Sequence, residues 1–524
     1  MPKVLIADKL SPQAIDVFKQ RGVEADVKTG LTPEEIIKII GDYDGLAVRS
    51  ATKATAELIK AGKNLKVIGR AGIGVDNVDI PAATANGIVV MNTPFGNSVT
   101  TAEHTISLMM SVARMIPQAN ASTHAGKWEK SAFMGVELSG KTLGLIGAGN
   151  IGSIVADRAQ GLKMSVIAYD PFLSNERATA LNIRKVELDE LLGEADFITL
   201  HTPLTDSTKN ILNKDTLAKC KKGVRIINCA RGGLVNEADL KEAIENGHVA
   251  GAALDVFEKE PAKENTLFGM KEVICTPHLG ASTTEAQENV AVQVAEQMSD
   301  YLVKGAVTNA LNIPSMSAED ALKLKPYLKL VDQLGSFAGQ LAESGLKEVK
   351  IEYEGKAGKL NTKPLSAVAL KGLLSPLVEG VNMVNAPVIA QERGISVSST
   401  SHDKTGDYQT LVRITIICEE NTITIAGTLF ADKPRIVEVA GIKLEAGLGT
   451  KNLYVNNDDK PGFIGDLGTV LGSAGINIAY FHLGRNEELK EAIALVEIDQ
   501  SISEELLAKI NNLSSVRKAK SITF

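Results

Sequence analysis

The chain lacks any apolar run of about 18 residues, so no segment of the sequence reads as membrane-spanning. Its first residues, MPKVLIADKL, lack a basic stretch followed by an apolar one, so no secretory leader is expected. There is no basic surplus. Lys and Arg number 56 against 63 Asp and Glu, a net charge of −7, which argues against a general nucleic-acid binder. Cysteine is sparse: Cys220, Cys229, Cys275 and Cys418 form no CxxC pair. Neither a disulfide framework nor a metal site is expected, and a reducing cytoplasm is the simplest compartment, with the thiols packed as small apolar groups. Aromatics make up only 4% of the residues, with one Trp, and there is no low-complexity tract or short repeat.

Glycine is plentiful, 46 residues against 17 prolines, so many backbone positions can take dihedrals closed to other residues. A length of 524 residues corresponds to three or four domains at about 150 residues each. Residues 3–7 (KVLIA), 45–49 (GLAVR) and 66–69 (KVIG) are short apolar runs suited to buried strands. Between them, Ser11-Pro12 offers a helix N-cap, and Thr32-Pro33-Glu34-Glu35 a capping box. This alternation predicts a parallel sheet with both faces covered. A second alternating system begins at 142–146 (TLGLI) and 164–169 (MSVIAY), with further strands expected at 197–200, 225–228, 251–254 and 272–275. Beyond a linker expected at Asn312-Ile313-Pro314-Ser315, β-branched pairs dominate, as in 411–418 (LVRITIIC), and Gly441 suggests a hairpin turn. The last segment reads as strand 453–456, helix 463–472, strands 477–483 and 492–498, helix 504–513 and strand 519–524. That βαββαβ order is ferredoxin-like.

Gly147-Ala148-Gly149-Asn150-Ile151-Gly152 fits G-x-G-x-x-G, with a strand leading in and a helix leading out. Gly147 makes the turn, Gly149 admits a pyrophosphate, and Gly152 lets helix and strand pack closely. The helix N-terminus supplies amide donors and positive partial charge. Asp170, at the end of the next strand, would accept ribose hydroxyls and repel a 2′-phosphate, which favours NAD over NADP; the alternative is that it caps a turn before Pro171.

Three more segments follow expected strands of this sheet: Cys229-Ala230-Arg231-Gly232-Gly233, Asp255 through Glu260-Pro261, and Thr276-Pro277-His278-Leu279-Gly280. Each falls at the carboxyl edge, where ligands of such sheets bind. Oxidising a 2-hydroxy acid needs a base for the hydroxyl proton, a carboxylate to stabilise the imidazolium, and a planar cation for the substrate carboxylate. His278, Glu260 or its neighbour Glu258, and Arg231 fill these roles. Together with the glycine loop, these segments resemble the D-2-hydroxyacid dehydrogenases over about residues 1–310. The resemblance selects Glu260 over Glu258 and implies Arg231, Glu260 and His278 as catalytic residues. It also implies that Asn150, Ile151, Thr202, Cys229, Ala230, Arg231, Asp255, His278 and Gly280 line bound NAD, and that His201 is structural. Ile73 departs from the Thr common at its position.

Arg49, and Arg70 beside Gly72, also follow strands. With Arg231 and His278 they are expected to bind a substrate carrying a second anionic group, unless they pair with Asp76 or Asp79. Their segments, with Lys127-Trp128 and 133–135, resemble the branch of the family that oxidises 3-phosphoglycerate at the start of serine synthesis. Residues 452–524 resemble an ACT domain, a module that binds amino acids at a paired interface, and 315–450 the intervening regulatory domain of that branch's long members. The resemblance implies serine as effector, with Asn457, Asp459 and Asn477 contacting it, and a homotetramer with a dimer as minimum. Lys433, Arg435 and Lys443 are expected to form a solvated basic face. The expected fold class is α/β: two doubly wound, Rossmann-like parallel sheets, an α+β domain and a ferredoxin-like domain. The expected division is 1–98 with 281–311 for substrate, 99–280 for NAD, 315–450 and 452–524. The alternatives are a dehydrogenase of glycerate or 2-hydroxyglutarate, or an NAD-sensing corepressor. The second is disfavoured because residues after 310 read as folded.

Overall fold

The computed structural model describes residues 1–403 and 406–524. Its first sheet holds five parallel strands, β1 (Lys3–Ile6), β2 (Glu24–Val27), β3 (Gly45–Val48), β4 (Val67–Arg70) and β5 (Val89–Met91), in the order β2-β1-β3-β4-β5. All four residues of β3 are buried, as a central parallel strand covered on both faces requires. The capping box at Thr32 forms as expected. The preceding helix differs: it starts at Gln13, with Pro12 at the N-cap and no side-chain cap. Ser11 contributes its backbone carbonyl, which accepts from the Ala14 amide.

The second sheet is also parallel: β6 (Thr142–Ile146), β7 (Ser165–Tyr169), β8 (Arg184–Lys185), β9 (Phe197–Leu200), β10 (Val224–Asn228), β11 (Val249–Leu254) and β12 (Val273–Cys275). Its order is β12-β11-β10-β9-β6-β7-β8, so the chain reverses direction at β6, where the glycine loop begins. Two long helices cross between the sheets. Ser98–Arg114 leaves the first sheet and buries Ala102, Met109 and Ala113 against Leu143, Leu145 and Ala253 of the second. Thr284–Lys304 leaves the second and buries Val290, Val294 and Met298 against Val4, Ala47 and Val67 of the first. A cleft therefore opens between the carboxyl edges of two sheets joined by two helices. The segment read as a free linker is instead pinned: Asn312 accepts from the Val90 amide and donates to Ile88 O, and Ile313 is buried.

The third sheet is β13 (Leu346–Gly355), β14 (Ser396–His402), β15 (Thr410–Cys418), β16 (Thr422–Phe430), β17 (Lys433–Val439) and β18 (Ile442–Gly447), ordered β14-β13-β15-β16-β17-β18. The β17–β18 turn places Ala440 at φ 50 and Gly441 at φ 81, the twisted two-residue hairpin that favours glycine. The fourth is β19 (Lys451–Asp458), β20 (Ile478–Asn486), β21 (Glu491–Ile498) and β22 (Val516–Thr523), antiparallel and ordered β20-β21-β19-β22. With helices Phe463–Ser473 and Glu504–Asn511, it is the ferredoxin-like βαββαβ unit.

Candidate active site

The glycine loop turns where expected. Gly147 has φ 97, and a Cβ there would stand 2.7 Å from His201 O. A Cβ at Gly152 would stand 2.3 Å from Gly147 O, so only glycine lets the Asn150–Gly161 helix start this close to β6. Gly149 faces open space, and Asn150 is exposed beside it, with Ile151 half-buried. The Thr202 hydroxyl is buried beside the loop without a partner. An open glycine, a helix N-terminus and an unpartnered hydroxyl fit a dinucleotide pyrophosphate.

Asp170 holds the loop as well as ending its strand. One oxygen accepts from the Ala148 amide at 2.9 Å, the other from Phe172 at 2.8 Å. The carboxylate thus makes the turn before Pro171–Phe172 and still lies beside the glycine loop, so the two readings of this residue coexist.

His278 and Glu260 meet. Glu260 Oε2 lies 2.7 Å from His278 Nδ1, and its other oxygen accepts from the Phe257 amide at 3.0 Å. A carboxylate can only accept, so Nδ1 carries the proton, and in the neutral ring Nε2 holds the lone pair. The hydrogen bond to Glu260 holds the imidazole above its ordinary pKa against the opposing effect of burial. Burial raises the Glu260 carboxyl, but the His278 and Phe257 hydrogen bonds outweigh it and leave it below its usual value. Glu258 makes no such contact; its amide donates to Glu237. Desolvation drives the pKa of half-buried His201 down to about 3, and its Nε2 bonds Thr199. It is a neutral packing residue.

His278 sits at φ 56, a left-handed backbone uncommon outside glycine. Asp255 maintains it. The Asp255 side chain has no exposure. Its carboxylate accepts from Leu279 N at 2.7 Å, Gly280 N at 2.8 Å and Thr276 Oγ1 at 2.6 Å, and its carbonyl accepts from His278 N. His104 Nε2 adds a contact at 3.2 Å, and Thr101 bonds Gly280 O. Among the described residues, every donor around the Asp255 carboxylate belongs to the histidine loop or to the crossing helix. Cys229 is also packed, and burial pushes its thiol up to about 12, so the contact open to a ligand there is backbone, beside half-buried Ala230. Motifs pointed to none of the supporting residues Thr101, His104 and Asp8, because each acts through a fold contact.

Three arginines converge. A Cβ on Gly72 would stand 1.6 Å from Arg70 Nη1, and one on Gly74 would stand 2.0 Å from Arg231 Nη2, so both guanidiniums lie on this glycine backbone. Burial, then the positive charges of Arg231 and Arg49, depress Arg70 to about 10; it stays cationic at neutral pH. Its Nε is buried without a partner. Asp8 shapes the Arg49 loop by accepting from Arg49 N and from Thr52 N and Oγ1, while Asn77 donates to Arg49 O. Asp79 caps the Ile80–Ala85 helix, and Asp76 pairs with Arg231; neither acid forms an ion pair with Arg49 or Arg70, although the Asp76 charge acts on Arg70 through space.

Asn457, Asp459 and Asn477 do not meet within one chain. Asp459 N bonds Lys490 O at one end of β21, and Asn477 O bonds Asp499 N at the other. The two ends are about 27 Å apart at strand rise. Asp459 is taken by Arg485 at 2.8 Å, Asn477 by Asp499 at 2.6 Å, and Asn457 is buried with Oδ1 unpartnered. Lys443 pairs with Asp407 on an exposed face.

Residues 106–280 match the D-isomer specific 2-hydroxyacid dehydrogenase NAD binding domain, 323–440 the D-3-phosphoglycerate dehydrogenase intervening domain, and 451–515 the ACT domain. The chain is 45% identical to the D-3-phosphoglycerate dehydrogenase of Synechocystis sp., covering 100% of this chain and 95% of that one. It is 42% identical to the Bacillus subtilis enzyme of the same name, covering 100% and 99%. The solved NAD+-bound 3-phosphoglycerate dehydrogenase of Entamoeba histolytica superposes with TM-score 0.51 at 30% identity, covering 59% of this chain and 98% of that one. A glycine loop, a histidine–glutamate pair and an arginine cluster at one cleft, on a chain alike along its whole length, place it in the D-3-phosphoglycerate dehydrogenase family of the D-2-hydroxyacid dehydrogenases.

Proposed function

We propose that the chain oxidises 3-phospho-D-glycerate to 3-phosphohydroxypyruvate with NAD, the opening step of serine synthesis. The observation that carries this substrate is the arginine cluster. Arg231 suits a carboxylate, while Arg49 and Arg70, which lack a carboxylate partner among the described residues, suit a phosphate. NAD held at the Gly147–Gly152 loop and the start of the Asn150–Gly161 helix would supply the acceptor for the C2 hydride. His278 Nε2 takes the hydroxyl proton, Glu260 stabilises the imidazolium that forms, and Arg231 polarises the oxygen as it becomes a carbonyl. Closure of the cleft would exclude water from the step. Purified protein should form NADH from 3-phosphoglycerate at alkaline pH. Arg49→Ala should raise KM at least tenfold; full activity of that variant on 3-phosphoglycerate would move the reading to a hydroxy acid without phosphate.

The supporting argument for a serine effector is the placement of Asn457 and Asp459 at one end of β21 and Asn477 at the other. Two copies related by a twofold axis could bring one end of this unit in each chain to the other end in its partner. Such pairing makes a dimer the minimum and fits a homotetramer with a second contact elsewhere. The cytoplasm is the proposed compartment. Titrating serine into the activity assay tests the effector, and sedimentation tests the assembly.

A further inference from the structure

The loop after β4 and the loop after β10 belong to different sheets, and one ion pair joins them across the cleft. Arg231 Nε lies 3.3 Å from Asp76 Oδ2. The two partners differ in environment: the Asp76 side chain is 82% exposed, that of Arg231 30%. Asp8, the other carboxylate felt by Arg70, is closed, buried and saturated by Arg49 N, Thr52 N and Thr52 Oγ1. Among the described residues no backbone amide or hydroxyl ties down Asp76. It is held by the arginine cluster and can swing into water.

We propose that Asp76 is the resident counter-ion of this cluster, a built-in competitor that occupies the Nε edge of Arg231 until an anionic group of the substrate takes that edge. The proposal rests on the reading that Arg49, Arg70 and Arg231 receive the substrate's charged groups. Three guanidiniums around one cleft repel one another, and Arg231 is only partly exposed to screening by water. A mobile carboxylate on the rim relieves that repulsion. An ion pair this exposed is weak, so a substrate carboxylate that grips the guanidinium by two hydrogen bonds displaces it. Asp76 then faces the substrate's negative charge from the rim. A ligand that also fills Arg49 and Arg70 overcomes that repulsion, whereas a ligand that reaches Arg231 alone does not. Asp76 thereby acts as a specificity-determining residue, selecting for doubly anionic substrates.

The test uses the full-length protein carrying Asp76→Asn, with Asp76→Glu as the conservative control. Inorganic phosphate, titrated calorimetrically at low ionic strength, should bind Asp76→Asn about two- to fivefold tighter than wild type, the range set by an exposed ion pair. The gap should narrow in high salt, which screens Asp76 together with the arginines, while phosphate binding weakens in both proteins. The 3-phosphoglycerate KM should fall by a similar factor, with the change in KM rather than kcat, and Asp76→Glu should track wild type. Unchanged or weaker phosphate binding overturns the proposal. So does a raised KM with a lowered kcat, which would mean that Asp76 aligns Arg231 instead. Failure of the substrate reading looks different: Arg49→Ala would leave the 3-phosphoglycerate KM unmoved, while the phosphate titration still reports whether Asp76 competes.

Discussion

At the residue scale, the site works by giving each titratable group a different environment. Desolvation makes His201 useless as a base near neutrality, whereas Glu260 beside His278 raises the imidazole pKa. The sign of the pH dependence follows. Hydroxyl oxidation needs a neutral imidazole, so activity is lost as pH falls through the pKa of His278, which lies above its ordinary 6.5. In Glu260→Gln the negative charge that favours the imidazolium is gone, so the acid limb of the kcat/KM profile should move to lower pH. The plateau should fall at the same time, within the roughly 10²- to 10⁴-fold that a positioned base supplies. An acid limb that stays in place would rule out the His278–Glu260 pair as its origin. These two residues were legible in the sequence because each stands in a local motif after a strand. The Asp76–Arg231 contact was not: 155 positions separate the partners, from 76 to 231, and only the approach of two sheets joins them.

At the element scale, strands with strict alternation or continuous burial were legible. β15 alternates fully and partly buried residues along Thr410–Cys418, the run LVRITIIC and its flank. The two long helices of the intervening domain were not, and the reason is physical. Ala318–Leu341 contains Pro326, which ordinarily marks a break, and Thr362–Leu374 has Pro364 in its first turn. What joins them is a close crossing made by glycines. A Cβ on Gly335 would stand 2.2 Å from Ala369 O, one on Gly339 2.2 Å from Leu373 O, and one on Gly372 2.3 Å from Asp332 O. The obstruction in each case is backbone, which cannot turn aside as a side chain can. Gly339→Ala should therefore destabilise the protein by about 1–3 kcal/mol, the cost of overpacking, although alanine favours an isolated helix. Denaturant unfolding followed by far-UV circular dichroism checks the sign. A stability gain would mean that helix propensity outweighs the crossing.

At the scale of the whole molecule, the regulatory half forms one body. A single apolar cluster contains Phe337, Leu370 and Ile414 of the intervening domain together with Tyr454, Ile493, Leu495 and Ile522 of the ACT domain. Phe337 is fully buried, with Tyr454 edge-on at 6.0 Å and Phe524 at 6.3 Å. Lys518 and Lys520 both reach Glu343, and Gln340 bonds the backbone of Thr523. This body also grips the first sheet. Asn382 donates to Gly87 O at 3.0 Å, and Val384 is buried in the cluster beneath β1 and β4. The ACT end and the first sheet are thus joined by continuous packing through the intervening domain. Because the core is shared, the ACT and intervening domains should melt together in a single calorimetric transition. Phe337→Ala removes the ring at the centre of the junction and should cost about 3–5 kcal/mol. That corresponds to a fall of roughly 6–20 °C in the Tm of that transition. The transition of the two parallel-sheet domains should stay in place, since Phe337 contributes nothing to their cores. Separate melting of the ACT and intervening domains in the unsubstituted protein would refute the shared core. So would a Phe337→Ala variant that shifted only one of them, because a ring held between two domains cannot be removed from one alone.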